Sequence, residues 1–277
     1  MTAEPAVASV DTPAETVVAA AQFAPVPGRT ARNLAVATEL VRAAAARGAR
    51  LVVLPEYALS GYDPQWVAAG APGGGSSMPG PSIETLARVG AQAGVAIVVN
   101  DLERAGDRLF STSAILAAGR LIATHRKITV TPNEENAGIA AGDTAARPVA
   151  LPGVCLPVAP LICFEHGFPE IALDLALAGA GLFAVSSMIR VGYEYLRNLR
   201  TRARAQDNGA YVVAANAAGD GYCGESMIVD PRGEVLAVAS ASAAEVVTAT
   251  VSAALVAHQR RVEPVLARRR PELRSQC

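Results

Sequence analysis

The stretch Thr16–Leu54, TVVAAAQFAPVPGRTARNLAVATELVRAAAARGARLVVL, decides the fold class. Its opening VVAAAQFA is an apolar run stopped by Pro25 and Pro27, and it reads as a buried strand. Ala31–Arg47 carries apolar residues at helical spacing and stops at Gly48. Leu51–Leu54 is a second apolar run, broken by Pro55. Strand, helix and strand in that order imply a sheet covered by helices.

The alternation continues along the chain. Gly70–Pro81 is rich in Gly, Pro and Ser and reads as a surface loop. Helices are expected over Ser82–Ala93, Pro169–Ala178, Glu194–Asn208 and Ala253–Val262. Strands are expected over Val95–Asn100, Ser111–Ala118, Leu121–Lys127, Val158–Phe164, Leu182–Ser186, Tyr211–Asn216, Glu225–Val229, Glu234–Ala239 and Val246–Val251. Thr131–Asp143 reads as irregular and polar. No internal repeat or interior linker divides the chain. One domain over residues 16–277 is expected, after a loose tail over residues 1–15.

Composition narrows the classes. Apolar residues make up 51% of the 277, which excludes a disordered chain. Net charge is −1, and no basic run precedes Arg268–Arg270, so no nucleic-acid partner is expected. Four cysteines in a chain this long are not a disulfide framework. His125, His166 and His258 lie far apart, and no Cys/His cluster has zinc spacing, so no metal site is expected. The N-terminus lacks a basic start and an apolar core, and no segment reads as a membrane span. The expectation is a cytoplasmic protein without a membrane partner.

Three polar residues end apolar runs: Glu56 ends LVVLPE, Lys127 ends LIATHRK and Cys163 ends VAPLIC. Strand ends present side chains into crevices. A thiol, a carboxylate and an amine brought together there suit nucleophilic acyl transfer. The carboxylate would serve as base for the thiol and the amine as donor to the oxyanion. Taken singly, each has a plainer reading: a solvated Glu, an exposed Lys, a small core Cys.

The surrounding segments go further. LPEYALSGY (Leu54–Tyr62), HRKI (His125–Ile128) and LICFEHGFPE (Leu161–Glu170) resemble, in order, the three signature segments of the nitrilase superfamily of carbon–nitrogen hydrolases. RARAQDNGAYVVAAN (Arg202–Asn216), GESMIVDPRGEVLA (Gly224–Ala237) and RRPEL (Arg269–Leu273) are similar to later segments of the same family. The resemblance implies an α-β-β-α sandwich of two mixed sheets flanked by helices. It implies a catalytic Glu–Lys–Cys triad at Glu56, Lys127 and Cys163, with no metal or organic cofactor. A second family glutamate precedes a Gly-Asp pair. The spacing in NEENAGIAAGD (Asn133–Asp143) selects Glu135 over Glu134. Relatives usually associate as dimers, so a homodimer is expected.

The implied reaction is hydrolysis of a small-molecule carboxamide through a cysteine thioester, with release of ammonia. N-carbamoyl compounds and nitriles are alternatives, as is a catalytically idle scaffold on the same fold. Phe164 directly after Cys163, where nitrile-hydrolysing relatives carry Trp, favours the amidase and carbamoylase side. Expected substrate contacts are Tyr62, Phe164, Gly167, Ser187 and Ile189, with Tyr193 and Tyr195 at the mouth. Two positions depart from many relatives. Gly167 stands where they carry Arg, so an Arg clamp from that position is absent. Ile189 stands where they carry Trp. Pro160, inside the nucleophile strand, lacks an N–H and suggests a bulge. His166 and Cys223 are secondary candidates for the pocket.

Overall fold

The computed structural model describes residues 13–71 and 75–270. Most of the expected tail, part of the Gly70–Pro81 loop, the end of the RRPEL segment and Cys277 lie outside the described residues. The strands, in chain order, are β1 (Glu15–Gln22), β2 (Leu51–Val53), β3 (Ala96–Ala105), β4 (Arg108–Ala117), β5 (Arg120–Arg126), β6 (Val158–Ile162), β7 (Leu182–Ser187), β8 (Tyr211–Asn216), β9 (Ala218–Gly219), β10 (Tyr222–Cys223), β11 (Met227–Val229), β12 (Val235–Val238) and β13 (Glu245–Ser252). The helices are α1 (Thr30–Ala46), α2 (Pro64–Ala68), α3 (Pro81–Ala93), α4 (Pro132–Asn136), α5 (Pro169–Leu177), α6 (Glu194–Asn208) and α7 (Ala253–Val262), with a 3-10 turn over Cys163–Gly167.

Among the described residues the long strands form two mixed sheets, ordered β13-β1-β2-β3-β4-β5 and β12-β11-β8-β7-β6. In the first, β1, β2 and β3 run parallel and the outer strands antiparallel. In the second, β6, β7 and β8 run parallel, and β11 and β12 antiparallel.

Side-chain alternation along the strands builds the layers. Val18, Ala20, Leu51, Val53, Ala96 and Val98 of the first sheet pack against Val158, Leu182, Ala184, Val213 and Ala215 of the second. The alternate residues Ala19, Ala21, Val52, Leu54, Ile97 and Val99 face outward and are covered by α1 and α3 through Ala37, Val41, Ile83 and Leu86. Ala159, Leu161, Phe183, Val185 and Val212 are covered by α5 and α6 through Ala172, Leu175 and Ala205. The result is the expected α-β-β-α sandwich.

Several expectations are corrected. β1 opens at Glu15, one residue inside the expected tail. Within Thr131–Asp143 there is a short helix, α4, started by Thr131 with Pro132 in its first turn. The strand expected to run through Phe164 ends at Ile162. Pro160 needs no bulge: β6 lies at a sheet edge and pairs with β7 in unbroken register. A missing N–H is tolerated on such an edge.

Candidate active site

The two sheets meet at the C-terminal ends of β2 and β7. The Ser186 hydroxyl donates to the Leu54 carbonyl at 2.8 Å, and the Glu56 N–H to the Ser187 carbonyl at 3.3 Å. These bonds seat Glu56 at the seam. Lys127 follows the last residue of β5, its N–H donating to the Ser111 carbonyl at 2.8 Å. Cys163 follows β6 with φ +41°, a left-handed conformation that is strained for a residue other than glycine. That sharp turn from strand to 3-10 helix directs the thiol into a pocket instead of along the sheet.

The three side chains converge. Lys127 Nζ donates to Glu56 Oε1 at 2.8 Å, and Glu56, Lys127 and Cys163 line one pocket. The second carboxylate on the lysine is Glu134: its oxygens lie 2.8 and 2.9 Å from Nζ. Glu135, the residue expected there, is exposed. Glu134 sits at the third position of α4 in a capping box with Thr131. It accepts the Thr131 N–H at 2.7 Å, and Thr131 Oγ1 accepts the Glu134 N–H at 3.2 Å. The signal was present in sequence as Thr131-Pro132-Asn133-Glu134, the S/T-x-x-E pattern of a helix start. Tyr57 completes the shell, its hydroxyl donating to Glu134 at 2.6 Å and its N–H to Asn100 Oδ1 at 2.9 Å.

Burial sets the charges. Glu56, Lys127 and Glu134 are 3%, 1% and 3% exposed. Desolvation pushes Glu56 up to about 7, against the opposing pull of Lys127. Burial acts to discharge Lys127, but Glu56, Cys163 and Glu134 outweigh it and hold the ammonium charged well above its ordinary range. Burial would raise Glu134 too; the Lys127 charge and hydrogen bond override it and hold this carboxyl below its usual value. Burial, and then the Glu56 charge, push the Cys163 thiol up, so Cys163 rests as a neutral thiol beside a carboxyl group.

Glu165 ties the two arms of the site together. Fully buried, it accepts the Ile128 N–H at 2.8 Å and the Ile162 N–H at 2.9 Å. His125 Nε2 lies 3.0 and 3.1 Å from its two oxygens. One carboxylate thus joins the segment carrying Lys127 to the strand that ends just before Cys163.

The pocket encloses about 370 Å³. Of the expected contacts, Tyr62, Phe164 and Ile189 line it, as does Tyr193. Ser187 does not: its hydroxyl is buried and donates to the Ala215 carbonyl at 3.1 Å and to Asn216 Oδ1 at 3.0 Å. Gly167 does not line the pocket either, because the Arg200 guanidinium lies against it. Tyr195 projects from the outer surface of α6. Cys223 is buried behind the wall, where its sulfur accepts from Asn216 Nδ2 at 3.2 Å; its neighbour Tyr222 lines the pocket instead. His166 is buried away from the pocket, and desolvation, aided by Arg204 and Arg200, pushes it down to about 3. Met188, Arg190 and Arg200 are wall residues that sequence reasoning missed. Among the described residues, no three His, Cys, Asp or Glu side chains cluster so as to hold a metal ion. No helix among them is long and apolar enough to cross a membrane.

A two-sheet sandwich with Cys, Glu and Lys side chains gathered at its strand ends is the architecture of a nitrilase-type hydrolase. Residues 17–261 match the sequence model described as carbon-nitrogen hydrolase, and the chain belongs to that family. It is 34% identical over 234 residues to "Hydrolase in pqqF 5'region" of Pseudomonas protegens, covering 82% of this chain and 80% of that protein. It is 31% identical over 262 residues to a chloroplastic omega-amidase of Arabidopsis thaliana, covering 87% and 69%. The crystal structure of an amidase from Nesterenkonia sp. superposes with a TM-score of 0.81 at 22% identity, covering 94% and 95%. That likeness establishes the shared fold.

Proposed function

We propose that the protein is an amidase that hydrolyses a small-molecule carboxamide through a thioester on Cys163, releasing ammonia. The observation that carries this reading is the hydrogen-bonded chain Glu56–Lys127–Glu134 in the pocket that Cys163 also lines. Glu56, with its carboxyl pushed up to about 7, is tuned as a general base near neutral pH. It takes the thiol proton as the sulfur attacks the amide carbon. Lys127 and the Phe164 N–H, in the first turn of the 3-10 helix, stabilise the oxygen as it becomes negative. The C–N bond breaks, the nitrogen takes the proton from Glu56, and ammonia leaves. Water then attacks the thioester, giving a proton to Glu56; the C–S bond breaks and the proton returns to sulfur. Glu134 holds Lys127 charged and in place.

Phe164 after the nucleophile supports amides and carbamoyl compounds over nitriles, and the similarity to an omega-amidase supports the amide. The test is ammonia release across primary amides, N-carbamoyl compounds and nitriles, with mass spectrometry of the enzyme during turnover. An acyl adduct on Cys163, absent from Cys163→Ala, is expected with amides. Undiminished turnover by Cys163→Ala would overturn the mechanism; turnover of nitriles alone would overturn the substrate class. We further propose a cytoplasmic homodimer, to be checked by cell fractionation and sedimentation equilibrium.

A further inference from the structure

Asn216, the last residue of β8, is fully buried and does not itself line the pocket. Its side chain reaches two segments that do. Oδ1 accepts the Ile189 N–H at 2.7 Å and the Ser187 hydroxyl at 3.0 Å. Nδ2 faces the Ile189 and Gly224 carbonyls at 3.3 and 3.2 Å and the Cys223 sulfur at 3.2 Å. One amide thus meets both backbone polar groups of Ile189, a residue beyond the end of β7 where no strand ladder takes its N–H. The hub is fixed in turn, its own N–H donating to Ser226 Oγ at 2.8 Å. Met188, Ile189 and Arg190 on the first segment and Tyr222 on the second line the pocket. The two segments are joined by the Cys223 N–H donating to the Ile189 carbonyl and the Val191 N–H to the Gly221 carbonyl, each at 3.0 Å. One side of the pocket is therefore irregular backbone seated on a buried amide. The anchor of Glu56 is separate: its N–H donates to the Ser187 carbonyl, which also accepts the Ala217 N–H at 3.0 Å, main chain to main chain.

We propose that Asn216 is a positioning residue that sets the width of the pocket and so the length of acyl chain the enzyme accepts. The proposal rests on the amidase reading and concerns specificity at the same site. A wall held at its polar groups meets the acyl part of a substrate at a fixed distance. Without the amide, the Ile189 N–H and the Gly224 carbonyl lose partners in a dry interior, and the segments shift to recover them. Met188, Ile189 and Tyr222 move with their backbone. The bonds that join Glu56, Lys127 and Glu134 do not pass through Asn216. The loss therefore falls on the seating of the substrate and spares the acid–base steps.

The test follows ammonia release from acetamide, propionamide, butyramide, valeramide and hexanamide. Wild-type enzyme should discriminate among these chain lengths. Asn216→Ala should raise KM by about tenfold for the amide the wild type prefers and flatten the chain-length profile, with kcat within about threefold. Asn216→Asp keeps the acceptor for the Ile189 N–H and loses the donors, so its profile should lie between the two. Thermal melts report folding, and Asn216→Asp carries the test alone if Asn216→Ala does not fold. Ser187→Ala leaves the bonds from Asn216 to both segments in place and should keep the wild-type profile. A flat profile in the wild type, an unchanged profile in a folded Asn216 variant, or an equal loss of kcat for every amide at unchanged KM overturns the proposal and leaves the amidase reading intact. No ammonia from any of the five amides overturns both.

Discussion

Lys127 and Glu134 form a pair in which one ammonium faces both oxygens of a carboxylate, at 2.8 and 2.9 Å, while the adjacent Glu135 points to solvent. The capping box of α4 fixes that choice. An acceptor that also bonds the Thr131 N–H cannot swing away from the site without uncapping its own helix.

Substitution should separate the two glutamates. Glu134→Gln removes the charge that holds Lys127, and kcat/KM should fall by about 100-fold or more. Glu135→Gln should stay within about twofold of wild type, as exposed substitutions usually do. Ammonia-release kinetics decide it, with thermal melts showing that both variants are folded. Equal losses would return Glu135 to the site.

On the proposed mechanism, Glu56 should set the acid limb of activity. Its carboxylate must be free to accept the thiol proton, and burial has pushed its carboxyl up to about 7. kcat/KM should therefore fall about tenfold per pH unit below that value. Lys127 and the Cys163 thiol are both shifted upward, so neither should cause a loss just above neutrality. His166 is the other group that could titrate nearby, but burial holds it neutral down to about 3. The acid limb should survive in His166→Asn. A limb that moves in that variant would make the histidine the base.

The same carboxyl should weaken the fold above neutrality. The folded state holds its proton up to about 7, against an ordinary 4.5. Folded protein thus binds more protons than unfolded chain between those values, and this contribution falls as pH rises through them. Glu56→Gln should melt higher than wild type at pH 8, and the gap should shrink toward pH 5. Denaturation midpoints across that range, together with lost activity, check the trade. A wild type that melts higher at pH 8 would show Lys127 to outweigh the burial of Glu56.

Glu165 should matter to stability as well as to rate. Glu165→Ala leaves two backbone N–H groups and His125 without their acceptor in a dry interior, at a cost of roughly 3–5 kcal/mol. Urea denaturation measures it. A loss below about 1 kcal/mol would show that the strand carrying Cys163 is held by packing alone.

The apolar runs around Val18, Val52 and Leu161 and the helical spacing of α1 made the layered sandwich legible from residue order, because periodicity decides which side chains can share a face. Glu56, Lys127 and Cys163 were legible as polar ends of such runs. Pro160 misled because its tolerance depends on β6 being an edge strand, a property of sheet order and not of the strand itself. Adjacent residues on a helix point about 100° apart, so motif spacing could not choose between Glu134 and Glu135, whereas the capping pattern could have. Arg200 had no comparable signal. It lies 33 positions beyond Gly167, and only the packing of α6 against the 3-10 turn brings a guanidinium to a residue without a side chain. Chain order thus marked Cys163, Glu56 and Lys127 through local hydrophobic pattern and motif. The tertiary structure decided which carboxylate holds the lysine and which cation lines the pocket wall, because both depend on directions set by packing between distant elements.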